Sequence, residues 1–225
     1  MLTDARLTQI ANMLPRCRVI ADIGCDHGRL GARLLLEGKC ETMWFSDISA
    51  PSLEKAKVLV DRLGIRDRAE FFVGDGANAF PYAPDCAVIS GMGGVTISEI
   101  IKNSNGKLEN TRLIMEPNVG DRILRKTLMD EGYAIVDERV VRAGRRFYIL
   151  IDAQKGKYEL SEEEQIAGPI MLKNMDSEFY KYALFRARVS EKALMGAKKS
   201  ENADTEELEY ELSVWKGVLK KYVDF

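Results

Sequence analysis

Residues 21–30, ADIGCDHGRL, place two acids, a histidine and two glycines between an apolar run and a helical pattern. A turn between a first strand and a helix presents backbone N–H groups at the helix N-terminus, where anions bind. In dinucleotide enzymes, the glycine spacing lets a pyrophosphate approach those groups. Here Asp26 stands at the second position of that fingerprint, and its carboxylate would repel a pyrophosphate. The turn therefore favours a cofactor that has a positively charged amino group and no phosphate.

S-adenosylmethionine is such a cofactor, since it carries an ammonium, a carboxylate and a sulfonium. Gly24 and Gly28 would allow close approach of this molecule to the backbone. Asp22 or Asp26 would receive the ammonium, directly or through water, and His27 belongs to the same predicted cofactor site. An alternative is that Asp26 only caps the helix that follows.

Two further acids follow later strands of the predicted sheet. FSDIS places Asp47 and Ile48 at the end of a second strand, where an acid typically bonds the ribose hydroxyls of an adenosine cofactor. This signal does not separate S-adenosylmethionine from NAD, because both contain that ribose. Asp75 and Gly76, in GDGANAF after the third strand, are candidates for a contact with the adenine amino group. An ordinary loop turn is the alternative there.

The ends of the fourth and fifth strands supply a glycine-rich loop and an amide. In ISGMGG, Gly91 and Gly93 indicate a backbone that turns sharply or lies near a ligand. We expect Met92 to point into the crevice at the carboxyl ends of the strands, with a core position as the alternative. Asn118, in MEPNV, would hold an adenine edge or cap the next helix. The predicted catalytic residues are Asp26, Met92 and Asn118.

These residues require a sheet whose strands end at one common edge. Apolar β-rich runs alternate with helical patterns up to about residue 150, which predicts βαβ units and a mostly parallel sheet. We expect five βα units and then a hairpin over 133–141 and 145–153, because only RAGR separates these two runs. Added to a parallel sheet, an antiparallel strand gives the seven-stranded α/β pattern of class I, Rossmann-like methyltransferases.

Composition changes after the hairpin, where a polar and acidic segment begins. Ser161 followed by Glu164 fits a capping box, and the long helical pattern that follows is broken at Gly168-Pro169. A polar turn, ENADTEE, precedes a second amphipathic helix. We therefore predict a methyltransferase domain over residues 1–153 and a helical hairpin or coiled coil over 154–225, leaning on the first domain or on a partner.

The net charge of −2 gives no global basic footprint of the kind that nucleic-acid binders often show. Any RNA partner would therefore be held by a local patch of cations. The candidates for phosphate contacts are Arg142, Arg145, Arg146, Arg186, Arg188 and Lys192, with Arg122 and Arg125 on a preceding helix. A solvated surface is the alternative role for these side chains.

Composition disfavours several classes of protein. The four cysteines form no CxxC pair and there is one histidine, so no metal is expected. No stretch approaches the roughly 18 unbroken apolar residues of a membrane span, and MLTDARLTQIANML lacks an apolar signal core. We expect a cytoplasmic protein with no membrane partner, either a monomer or a weak homodimer.

Taken together, ADIGCDHGRL, ISGMGG and the Pro-Asn pair after the fifth strand, followed by a helical hairpin, resemble the bacterial tRNA adenine-22 N1-methyltransferase family. The resemblance spans nearly the whole chain, including the N-terminal RLTQIANMLP. It implies a class I methyltransferase domain with a C-terminal coiled coil, S-adenosylmethionine as cofactor, and tRNA with adenine at position 22 as substrate. It also implies that the glycines and acids named above surround the cofactor.

One residue departs from this resemblance. The family usually has Gln immediately before the Pro-Asn pair, and this chain has Glu116. If the side chain touched the target base, its charge would change affinity or the pH profile. If it pointed into the sheet, the change would be silent.

Other function classes stay open on the residues alone. An NAD-dependent oxidoreductase is disfavoured by Asp26 and by the terminal hairpin. A methyltransferase that acts on another RNA, a protein or a small molecule would need the same cofactor residues. A non-catalytic binding module, with the helical hairpin as its interaction surface, is the third class.

Overall fold

The protein's structure is a computed structural model that describes residues 4–199 and 204–223. Its strands are β1 (Cys17–Ile23), β2 (Cys40–Asp47), β3 (Ala69–Val73), β4 (Cys86–Met92), β5 (Arg112–Pro117), β6 (Tyr133–Ala143) and β7 (Arg146–Lys155). Within the described residues they form one seven-stranded sheet in the order β3-β2-β1-β4-β5-β7-β6. Only β7 runs antiparallel to its neighbours. The predicted seven-stranded, mostly parallel sheet is confirmed.

The predicted hairpin is present, but its antiparallel strand lies inside the sheet rather than at the edge. β7 is inserted between β5 and β6. Residues 149–153 of β7 are all buried, as in a strand covered on both faces, whereas β6 is only intermittently buried and suits the edge. Since β6 runs parallel to β5, its C-terminal end and the turn that follows lie at the same edge of the sheet as the ends of β1 and β4.

Helices cover both faces of the sheet and continue beyond it. The described residues contain α1 (Ala5–Met13), α2 (Arg29–Leu36), α3 (Ala50–Arg62), α4 (Gly94–Lys102), α5 (Asp121–Asp130), α6 (Glu162–Ala167), α7 (Pro169–Asn174), α8 (Ser177–Ala197) and α9 (Glu206–Lys221). The expectation of five βα units is wrong. Four are present, because residues 74–84 after β3 form turns and bends in which Gly and Pro prevent a helix.

The C-terminal helices begin and break where the sequence indicates. Ser161 and Glu164 form the predicted capping box at the start of α6. The predicted break falls between α6 and α7, and a second one follows at Met175, whose φ is +48°. α8 and α9 pack antiparallel to each other. Four contacts show this arrangement: Lys198 contacts Glu209, Arg186 contacts Glu211, Tyr182 contacts Trp215, and Tyr180 contacts Tyr222.

The C-terminal helices pack on the sheet and share its core. Phe179 and Trp215 are buried in the same hydrophobic cluster as residues of β1, β4 and β5. Arg125 of α5 is fully buried and donates to Glu138 on β6 and to the carbonyl of Gln165 on α6. The expectation that the hairpin leans on the first domain is confirmed. The division into two domains at residue 153 stays a prediction.

Candidate functional site

Two adjoining cavities open at the carboxyl edge of the parallel strands, where ligands bind in open α/β sheets. Cavity A, of about 330 Å³, is lined by the predicted residues Gly24, Asp47, Ile48, Asp75, Gly76 and Met92. Cavity B, of about 550 Å³, is lined by the predicted residues Asp22, Gly24, Asp26, His27, Gly91 and Met92. Gly24 and Met92 belong to both cavities, so the two form one continuous crevice. Gly28, Gly93 and Asn118 line neither cavity.

The first turn owes its shape to β2 rather than to its own side chains. The N–H groups of Gly24 and Cys25 donate to the carbonyl of Ser46, at 2.7 and 3.0 Å. The N–H of Asp26 donates to Asp47 Oδ2 at 3.1 Å. Asp26 itself has a φ of +47° and does not cap α2, whose N-cap is Gly28. The acid after β2 therefore helps to hold the turn that carries the acid after β1.

The two acids of this turn differ in their environments. Asp22 is 3% exposed, and its Oδ2 accepts the N–H of Gly31 at 3.1 Å. Burial raises the pKa of Asp22 to about 7, and the negative charge of Asp47 adds to the rise. Asp26 is exposed and is hydrogen-bonded to His27 Nδ1. A cation in the crevice would stabilise the ionised form of Asp22.

Met92 lies directly over the first turn. The φ of +72° at Gly24 favours glycine, and a Cβ atom there would collide with Met92 Cε and force the tip of that side chain to move. The carbonyl of Met92 accepts the N–H of Asn118 at 2.7 Å. The side chain of Asn118 is exposed, and it does not cap α5, whose N-cap is Gly120. The structure thus brings Asn118 next to Met92 through the backbone.

The side chain of Glu116 lies in the interior of the protein and lines neither cavity. It is fully buried, and its Oε2 accepts the N–H of Gly91 at 3.0 Å and a hydrogen bond from Arg6 Nη1 at 2.9 Å. Burial raises the pKa of this carboxyl group, and the Arg6 guanidinium opposes that rise. Glu116 therefore contacts the glycine-rich loop and α1.

Several residues at the crevice were not predicted from the sequence. Asp4, Arg6 and Leu7 of the N-terminal segment line cavity B, and nothing in their types pointed to a site. Cavity A is also lined by Thr96, Glu99, Ile100 and Asn103. Their spacing of three, four and seven residues is that of one helix face, and this signal could have found them once α4 was placed beside the crevice.

The candidate phosphate-binding cations fall into two groups. Arg142, Arg145 and Arg146 are exposed at the turn between β6 and β7, which lies at the same edge of the sheet as the crevice. Phe147, next to this turn, packs against Phe185 of α8 with ring centroids 5.5 Å apart. Arg188 and Lys192 are exposed farther along α8. These five cations make no ion pair with any other residue that the structure describes.

Two of the arginines have internal partners instead. Arg186 donates to Glu211 at 2.6 Å and lies 5.4 Å from the centroid of the Trp215 ring. Arg125 is fully buried, which contradicts the expectation that it contacts phosphates. Neither side chain presents a free guanidinium to a polyanion.

Comparisons with known proteins fit this geometry. A family model described as a methyltransferase domain matches residues 3–151. This chain belongs to that methyltransferase family. A curated Bacillus subtilis (strain 168) protein, tRNA (adenine(22)-N(1))-methyltransferase, is 28% identical to it over 184 residues, which cover 78% of this methyltransferase and 77% of that protein. The predicted class I, Rossmann-like methyltransferase fold is confirmed.

Solved structures extend the similarity to the C-terminal helices. The methyltransferase is similar to the crystal structure of a B. subtilis m1A22 tRNA methyltransferase, with 25% identity, a TM-score of 0.82, and coverage of 96% of this chain and 98% of that one. An M. capricolum protein called TrmK, solved with the cofactor product S-adenosyl-homocysteine, has 26% identity, a TM-score of 0.79, and coverage of 100% and 99%. These relatives confirm the resemblance predicted from the sequence.

Membrane spans and metal centres are the two remaining classes of site that the sequence argued against. Among residues 4–199 and 204–223, no helix has both the length and the apolar composition needed to cross a bilayer. The same residues contain no group of three or more His, Cys, Asp or Glu side chains arranged to hold a metal ion.

Proposed function

We propose that this methyltransferase transfers a methyl group from S-adenosylmethionine to N1 of adenine 22 in tRNA. The observation that carries the proposal is the likeness to m1A22 methyltransferases over both the sheet and the C-terminal helices. The crevice and the exposed cations lie at one edge of the sheet, as an enzyme acting on RNA requires. The protein would act in the cytoplasm, as a monomer or a weak homodimer.

The residues of the crevice fit S-adenosylmethionine better than a dinucleotide. Asp22 is a buried carboxylate without a cationic partner among the described residues, so the cofactor ammonium would complete its site. Asp47 would receive the ribose hydroxyls, and Asp75 with Gly76 and Ile48 would surround the adenine. The exposed carboxylate of Asp26 would repel a pyrophosphate.

The chemistry makes few demands on proton transfer. When bound, S-adenosylmethionine supplies an electrophilic methyl group on a sulfonium. N1 of adenine has an in-plane lone pair, so no base is needed before it attacks. Catalysis then rests on orientation, which is worth roughly 7–11 kcal/mol in favourable cases. Where the fold of the tRNA covers this edge of the base, the base must be flipped out or the arm opened.

Three residues and the glycine-rich loop would orient the target adenine and stabilise its developing charge. Met92 and the loop from Gly91 to Gly94 would form the wall against which the base lies. Asn118 would hold the adenine edge, since its backbone is fixed to Met92 at 2.7 Å. Asp26, exposed at the mouth of cavity B, would favour the positive charge that develops on the base.

The exposed cations beside the crevice would hold the tRNA backbone. Arg142, Arg145 and Arg146 project from the turn at the carboxyl edge, and Arg188 with Lys192 extends this surface along α8. Arg186 is not part of this surface, because its two terminal nitrogens already donate to Tyr182 and Glu211 within the protein.

The proposal is tested by methyl transfer to an unmodified tRNA with A22 and to its A22→G version. Nucleoside mass spectrometry reports the product. N1-methyladenosine on the first tRNA and none on the second is the expected result. Equal product on both tRNAs would move the reaction to another position. No product on either, with cofactor binding demonstrated by calorimetry, would assign another substrate.

A further inference from the structure

The bulge at Gly91, near the end of β4, is held by a side chain in place of a ladder partner. β4 and β5 pair Ser90 with Glu116 and Met92 with Pro117, and the register shifts between these pairs. Gly91, at the shift, has a φ of +79°. A bulged residue loses its ladder partner, and its N–H needs another acceptor. The acceptor is Glu116 Oε2, at 3.0 Å.

That same carboxylate oxygen also binds α1. Arg6 Nη1 donates to Glu116 Oε2 at 2.9 Å. Glu116 is fully buried, and a buried carboxylate requires a charged or hydrogen-bonding partner. Arg6 is held in turn by Asp4, at 3.6 Å, and by the ring of Tyr148, at 5.4 Å. One oxygen atom therefore connects α1 to the bulge at Gly91 in β4.

Both connected elements are walls of cavity B. Arg6 lines the cavity from α1, and Gly91 with Met92 lines it from the loop. Cavity A, which contains Asp47 and Asp75, includes neither Arg6 nor Glu116. A change in the ion pair should therefore disturb the place of the target base more than the place of the adenosine part of the cofactor.

We propose that Glu116 and Arg6 are positioning residues for methyl transfer, which set the Gly91–Met92 loop against α1 so that the target adenine is held in line with the methyl group. This inference rests on the function proposed above. Neither residue is assigned contact with the reacting atoms. Glu116 acts through the N–H of Gly91, and Arg6 acts through Glu116 by neutralising its buried charge. A displacement of about 1 Å at a reacting group lowers rate by roughly 100-fold.

The test compares two neutral double variants that differ at one hydrogen bond. R6M/E116Q removes both charges and keeps an amide oxygen to accept from Gly91. R6M/E116L removes both charges and also the acceptor. E116Q alone keeps the acceptor and places an amide nitrogen where Glu116 Oε1 now has no partner. For each variant, kcat and KM are measured with tRNA at saturating cofactor, together with cofactor Kd and Tm.

We expect E116Q and R6M/E116Q to keep a kcat close to that of the wild type. R6M/E116L should lose roughly 10- to 100-fold in kcat, with a much smaller rise in its cofactor Kd. R6M alone, which leaves a buried charge unpaired, should have both a lower kcat and a lower Tm than R6M/E116Q.

Several results would overturn the inference. Equal kcat values for R6M/E116L and R6M/E116Q would show that the bond to Gly91 positions nothing. A large loss of kcat in R6M/E116Q would mean that Arg6 acts directly on the substrate. A cofactor Kd that rises in step with the fall of kcat would indicate a general disturbance of the crevice. An inactive wild type, in contrast, would refute the proposed function itself.

Discussion

The negative charge of Asp22 lowers the stability of the folded protein, because this carboxylate is buried at the crevice. Burial raises its pKa from an ordinary value of 3.8 to about 7, and no cation among the described residues compensates it. Between about pH 4 and pH 7, the folded protein therefore holds a proton that the unfolded chain has released. The contribution of Asp22 to the free energy of unfolding consequently falls as pH rises through this window. A bound ammonium would reverse this cost by pairing with the ionised carboxylate.

This linkage predicts how cofactor binding depends on pH. Below about pH 7, each unit of acidification should weaken S-adenosylmethionine binding by up to about tenfold, and the rise in affinity should stop near pH 8, where an α-amino group loses its proton. D22N should bind more weakly and lose this slope, since its amide oxygen still accepts from Gly31 but cannot ionise. Calorimetry from pH 6 to pH 8 checks both. An unchanged slope in D22N would refute the role of Asp22.

Gly24 offers a second residue-level prediction with a matched control. G24A should weaken cofactor binding, because the new Cβ would force Met92 Cε to move within the crevice and the φ of +72° strains alanine. G64A introduces alanine at a similar φ of +67° with no heavy atom within 4 Å, so it should cost only about 1–2 kcal/mol of stability. Thermal shift with and without S-adenosylmethionine separates the two effects. Unchanged binding in G24A would contradict the close packing of Met92.

Among the elements, α5 anchors the C-terminal helices through one buried arginine. Arg125 donates to Asp121 and Glu138 and to the carbonyls of Gln165 and Ile166. Burial raises the pKa of Glu138, and the positive charge of Arg125 opposes that rise. The spacing of residues in α5 did not predict this role. An arginine on an exposed helix face and one in a buried network cannot be distinguished from the sequence.

Removing this arginine should be costly. R125M leaves the buried carboxylate of Glu138 without its cation, so we expect a loss of about 3–5 kcal/mol in the free energy of unfolding. R122M, on the same helix, breaks only the exposed pair with Glu207 and should cost at most about 1 kcal/mol. Urea denaturation of both variants makes the comparison. Similar losses would contradict the buried network as the anchor.

Elements with strong local signals were predicted well, and those that depend on distant partners were not. The capping box at Ser161 and the break at Gly168 are encoded in adjacent residues, and both are present. The position of β7 inside the sheet depends on which strand needs cover on both faces, which only the assembled sheet decides. The glycines and acids of the crevice were found from their places after strands. The contribution of α1 was not, because it reaches Glu116 across 110 residues.

On the scale of the whole molecule, one edge of the sheet collects the crevice and the exposed cations. The parallel strands end there, and the direction of β6 brings the turn at Arg145 to the same side. The net charge of −2 conceals this local concentration. A polyanion would therefore be guided to this edge by a patch and not by the overall charge of the protein.

This arrangement predicts a position-dependent effect of removing charge. R145A/R146A should weaken tRNA binding and reduce the salt dependence of the binding constant by about one unit of slope for each phosphate that is no longer neutralised. K55A/R62A removes the same charge from α3, which packs on β2 and β3 at the other end of the sheet, and should change neither. Binding titrations at several salt concentrations compare the two. Equal effects would remove the turn from the proposed RNA surface.

The most direct measurement maps the methyl group on a single tRNA. A methyl at N1 blocks the pairing edge of adenine, so reverse transcription of the product should stop one nucleotide before position 22 is copied. We predict this stop after incubation with protein and S-adenosylmethionine, and its absence when either is omitted. A stop at another position would contradict the assignment of adenine 22 as the target. So would full-length copies of a tRNA that was incubated with protein shown to bind the cofactor.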